Sequence, residues 1–68
     1  MANLHRVSRE THDRCLRACW DRKADLAESE ILTLNIVAGA WASGEPVNQR
    51  DFRAAQKILA RLDLAEAS

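Results

Sequence analysis

Between Gly44 and Phe52 the chain reads GEPVNQRDF, and this stretch restricts the fold more than any other. Gly44 is the residue expected just past a helix end, where the backbone turns left-handed and a side chain would clash. Pro46 cannot continue a helix and stiffens the exit. Asn48 reads as the cap of a new helix, with Asp51 three residues on as a short substitute for the usual Glu or Gln of a capping box. Val47 and Phe52 occupy the two positions of a hydrophobic staple. Stop, turn and start therefore fit within residues 44–48, and so short a connection makes the flanking helices antiparallel neighbours.

The helix after the turn is predicted over about 49–64. Phe52, Ala54, Ala55, Ile58, Leu59 and Leu62 fall within one arc of about 160° at helical spacing. Arg50, Arg53, Lys57 and Arg61 gather within about 80° on the other side. The basic stripe is either an ordinary solvated face or a surface for phosphates or acidic protein groups.

Before the turn, no proline and a single glycine, Gly39, interrupt Ser8–Ser43. Leu16, Trp20, Ala24, Ala27, Ile31, Leu34, Ala38 and Trp41 recur at steps of three and four, the seam of a packed helix. The spacing predicts one long helix over about 8–43, capped by Ser8 or Thr11. The alternative is a break near Lys23–Asp25, where Asp25 and Glu28 read as a second cap and its partner. Residues 31–41 are apolar on nearly every side, and one amphipathic neighbour covers only one of them. Leaving Leu32, Ile36 and Val37 in water forgoes roughly 1.5–3 kcal/mol for each. The expected remedy is a second copy, two helical hairpins forming a four-helix bundle. Leu16, Ile31, Leu32, Leu34, Ile36, Val37 and Trp41 are the expected dimer interface, with Trp41 in the core beside the turn.

Size points the same way. The 68 residues make a single all-α domain, 1–68, with 1–7 expected to be flexible. A chain this short buries only about 60% of its unfolded surface, so a partner is a natural supplement. With 47% hydrophobic residues it is too apolar for disorder. Its two glycines, one proline and absent tyrosine favour helices over strands.

The net charge is zero but uneven: residues 24–46 hold four acids and no base, and residues 47–68 hold four bases against three acids. A globally basic nucleic-acid binder is not indicated, although a local basic face is compatible with this distribution. The polar, charged N-terminus does not read as a signal peptide, and no apolar run approaches a membrane span. Two cysteines do not make a secreted framework, so the sequence reads as cytoplasmic, in a bacterial host on the resemblance below.

Chemistry is sparse. His12, Cys15 and Cys19 share a helical face, with His5 one heptad earlier, and these donors suit zinc. Structural zinc sites draw ligands from turns, however, and no Cys-x-x-Cys knuckle is present. The favoured reading is two small apolar thiols at a helix interface beside a solvated histidine, with no metal and no cofactor. An intrahelical Cys15–Cys19 disulfide is disfavoured by bridge geometry. No nucleophile elbow or phosphate-cradling loop appears, so no catalytic residue is assigned and an enzyme is not expected.

What remains is binding. Trp and Arg are the residues that protein-binding hot spots favour, which nominates Arg14, Arg17 and Trp20 together with Arg50, Arg53, Lys57 and Arg61 as partner-binding. Asp13–Arg17 is an i,i+4 pair expected to support the first helix.

Residues 31–64, an apolar helix, a short connection and a helix ending KILARLDL, resemble part of a helix-turn-helix unit. That likeness implies a small dimeric DNA-binding regulator, although only Arg50 and Arg53 are of base-reading type near the second helix's start. The whole-chain plan of Ser8–Ser43, the GEPVNQRD turn and Asp51–Leu64 is similar to small helical-hairpin inhibitors from temperate phages, of the anti-quorum-sensing type. This second resemblance implies a homodimer that inhibits a host protein, such as a LuxR-type transcriptional activator or a pilus assembly ATPase. Nucleic acid ranks behind protein as partner, and no membrane is involved.

Overall fold

The computed structural model describes residues 4–67, with side chains described through Leu64. Three helices follow one another: α1 over Arg9–Asp21, α2 over Glu28–Ser43 and α3 over Gln49–Ala67. Lys23–Asp25 forms one turn of 3-10 helix between α1 and α2. Two short strands, β1 (Leu4–His5) and β2 (Val47–Asn48), pair antiparallel with Leu4 opposite Asn48 and His5 opposite Val47. The fold is all-α apart from this clasp.

The expected turn is present in detail. Gly44 caps α2 at φ 73° and ψ 18°, the left-handed conformation that strains any residue carrying a Cβ. The Glu45 N–H reaches back to the Ala40 carbonyl at 2.9 Å, which satisfies an orphan acceptor at the helix end. Asn48 Oδ1 accepts from the Asp51 N–H at 2.9 Å, and Asn48 Nδ2 donates to the Asp51 carboxylate at 3.1 Å. Val47 is buried and Phe52 packs against the same cluster.

The single long helix over 8–43 does not form. At about 1.5 Å per residue it would measure roughly 54 Å, whereas the longest dimension of the molecule is 39 Å. The chain breaks between Arg22 and Ala27, as in the alternative reading, but the cap lies two residues later than expected. Glu30, not Glu28, returns its carboxylate to the N–H of Ala27 at 2.9 Å. Arg22 Nε donates to Asp25 Oδ2 at 2.9 Å across the bend. Arg61, from the far half of α3, donates to the Asp25 carbonyl at 3.0 Å and pairs with Glu30 at 2.7 Å. Local caps and a tertiary contact from Arg61 thus hold the break together. These donors keep the Glu30 carboxyl below the ordinary glutamate range, the Ala27 N–H first and Arg61 second.

The break lets α1 fold back along α2. The His12 ring lies 4.4 Å from that of Trp41, and the Cys19 thiol donates to Asn35 Oδ1 at 3.9 Å. The pairs 12–41 and 19–35 run in opposite directions, so α1 and α2 are antiparallel. On the third side, Arg14 pairs with Asp63 at 2.5 Å.

Inside this three-helix bundle lie Cys15 and Ala18 of α1, Leu34, Val37 and Ala38 of α2, and Ala55, Ile58, Leu59 and Leu62 of α3. Residues 31–41 therefore receive two covering helices from their own chain, which removes much of the need for a second copy. Leu34 and Val37, expected at a dimer interface, are fully enclosed and have no surface to offer. Trp41 is not a core residue either: its indole rests on His12 at the surface, 37% exposed.

Nor is the segment 4–7 loose. Val7 is buried, the His5 ring stacks on Phe52 at 4.8 Å and 8°, and β1 is hydrogen-bonded to β2. Residues 1–3, also expected to be flexible, lie outside the described residues. Asp13 turns to Arg9 at 3.8 Å and to His12 at 3.0 Å instead of forming the expected pair with Arg17.

Candidate functional site

Two exposed faces of opposite chemistry stand out. The first is built by α1 and α2. Leu16 and Trp20 are one turn apart on α1, and Leu32 and Ile36 are one turn apart on α2. Turning outward from the Cys19–Asn35 contact, helical periodicity brings both pairs to the same side of the molecule. The antiparallel register sets Trp20 level with the turn of α2 that carries Leu32 and Ile36. Trp20 is 83% exposed, Leu32 63%, Ile36 45% and Leu16 38%. Exposed Asn35 lies within this face and Glu28 near its edge, so an apolar centre meets polar groups as in protein interfaces. Ile31, also expected at the interface, is half-buried.

The second face is the outer side of α3. Arg50, Arg53 and Lys57 are exposed there and line, with Asn48, Gln49 and Ala54, an open basin of about 710 Å³. Arg61, the fourth member of the expected stripe, is held by Glu30 and the Asp25 carbonyl. Arg14 is likewise engaged by Asp63, while Arg17 stays exposed. Arg14, Arg17, Ala18, Asp21, Arg22, Leu59, Leu62 and Asp63 line a smaller groove of about 140 Å³ between α1 and α3. The contributions of Asn48 and Gln49 to the basin escaped the sequence reading. Both directly precede Arg50 in the chain, but Asn48 was read only as a cap.

The cysteines are placed for packing. Cys15 is fully enclosed, and burial first, with Cys19 nearby second, pushes its thiol up to about 11. The Cys19 thiol is also raised by burial. A protonated thiol is a poor nucleophile and a poor ligand. Among the described residues no group of three or more His, Cys, Asp or Glu side chains stands close enough to hold a metal ion. No helix among them is long and apolar enough to cross a membrane.

The relation between α2 and α3 bears on the helix-turn-helix likeness. Glu30 and Arg61 each lie about 20 Å along their helices from the connecting turn, yet their side chains touch at 2.7 Å. Helices meeting at the 90–120° of a helix-turn-helix would hold these residues far beyond side-chain reach. The two helices run side by side and antiparallel. No protein-family model matches this chain, and no match was found among curated proteins or solved structures.

Proposed function

We propose that this chain is a non-catalytic protein-interaction module that pairs with a second copy through its α1–α2 face. The observation that carries the reading is Trp20, a tryptophan left 83% exposed beside Leu16, Leu32 and Ile36. An indole in water forgoes about 3 kcal/mol of burial, and an exposed apolar patch of this kind marks an interaction surface.

Pairing two α1–α2 hairpins across this face gives a four-helix layer, with each α3 on the outside. The same apolar centre suits a helical surface of another protein, with Arg17 at its margin. The target class implied by the phage-inhibitor resemblance, a bacterial transcriptional activator or assembly ATPase, has no support from the comparisons, and the proposal does not depend on it. The Glu30–Arg61 contact, which sets α2 and α3 side by side, favours this reading over the helix-turn-helix alternative.

Sedimentation velocity over a concentration series tests the reading. The wild type is expected to dimerise with a Kd on the order of 10 µM, about −7 kcal/mol. Trp20→Ala and Leu32→Asp should each abolish the dimer while leaving the helical circular dichroism intact. A wild-type chain that stays single at several hundred micromolar, about 30-fold above that Kd, overturns the self-pairing.

A further inference from the structure

The outer face of α3 is left unexplained by a module that docks through α1 and α2. From its charge and its chemistry we infer that this face binds the phosphate backbone of duplex DNA. Arg50, Arg53 and Lys57 lie on one side of α3, spread over about 10 Å of helix axis. Among the described residues, neither Arg50 nor Lys57 takes part in an ion pair or hydrogen bond.

The acids nearest along the chain have other partners. Asp51 accepts from Asn48 Nδ2, Asp63 is paired with Arg14, and Glu30 is occupied by Arg61. Across residues 49–62 the only acid is Asp51. A chain of zero net charge therefore concentrates three cations on one helix face.

The lining of the basin selects the polyanion. Ala54 is the only apolar residue lining it, so a protein ligand meets no large apolar side chain there and would depend on acidic groups for its hold. No aromatic ring lines it, because Phe52 is stacked on His5. Single-stranded nucleic acids are held largely by stacking on such rings. Exposed Arg and Lys side chains set along one helix are what phosphate contacts of a duplex use. The helix is also narrow enough for the major groove, about 12 Å wide. This contact needs no helix-turn-helix, because phosphates are read by charge placed along one helix. It is also independent of the α1–α2 face.

Fluorescence anisotropy of a labelled mixed-sequence duplex of about 20 base pairs tests the inference. Three neutralised phosphates give a slope of log K against log salt of about −2.7, a loss near 40-fold between 50 and 200 mM salt. Arg50→Ala and Lys57→Ala should each reduce that slope by about 0.9. The triple change of Arg50, Arg53 and Lys57 to Ala should remove binding with the helical content unaltered. Trp20→Ala should leave binding in place, which separates this site from the docking face. Three results overturn the inference: a triple variant that binds like the wild type, a polyglutamate peptide that competes as well as unlabelled duplex, or a preference for single strands.

Discussion

Leu32 and Leu34 sit two residues apart in the same apolar run, and their sequence surroundings are nearly equivalent. The bundle separates them completely: Leu34 is fully enclosed between α1 and α3, while Leu32 is 63% exposed. Leu34→Ala deletes side-chain atoms from a closed core, and such truncations cost about 3 kcal/mol or more once the cavity is included. The whole domain of 68 residues has only about 3–10 kcal/mol to lose. Leu32→Ala gives up the small covered part of its side chain, about 0.5–1 kcal/mol. At about 4–8 °C per kcal/mol for a domain of this size, Leu34→Ala should lower Tm by about 12–24 °C and Leu32→Ala by only about 2–8 °C. Thermal unfolding followed by circular dichroism at low micromolar protein measures both. Repeating the scans at high concentration adds a second discriminator, because the Leu32 penalty should grow with concentration and the Leu34 penalty should not. If the two variants lose the same stability at high dilution, the assignment of faces on α2 is wrong and α1 does not cover it as described.

The two glycines should respond in opposite directions. Gly44→Ala forces a side chain into the left-handed region and should cost about 1–2 kcal/mol. Gly39 lies within α2, and a methyl group there would meet nothing within 4 Å, so Gly39→Ala should stabilise the monomer by about 0.5–1 kcal/mol; chemical denaturation of both variants checks the pair. Cys15 supplies a pH signature. Its folded thiol is pushed up to about 11 from 9.0, so the unfolded chain ionises first. The contribution is fully present below pH 9 and is lost as pH rises toward 11, a fall of about 2–3 kcal/mol that Cys15→Ala should remove. Stability measured across pH 8–11 in both proteins tests it, and identical pH profiles would contradict the burial of this thiol.

The α3 helix and its turn were readable because every signal for them is local. Gly44 needs its left-handed conformation whatever surrounds it, the Asn48 cap closes on a backbone N–H three residues away, and the 3.6-residue spacing of Ala55, Ile58, Leu59 and Leu62 chooses the inward face. Of the exposed apolar face, Trp20 was legible as a large side chain without an assured neighbour. The basic stripe was legible as a pattern, but Arg61 was indistinguishable from Arg50 until its contact with Glu30 appeared.

The sequence by itself determined helix as the material, the stop at Gly44, the start at Asn48 and the amphipathic face of α3, since each follows from bonds and sterics within a few residues. Only tertiary structure decided between one long helix and a bend near Lys23–Asp25, which apolar residues of α2 stay outside, and that β1 fastens the N-terminal segment to β2. Local caps at Asp25 and Glu30 permit the bend, and Arg61 adds contacts to Glu30 and the Asp25 carbonyl from more than thirty residues away. A run apolar on all sides states how much surface must be covered. Which side remains for a partner is set only when α1 folds back and α3 closes the bundle.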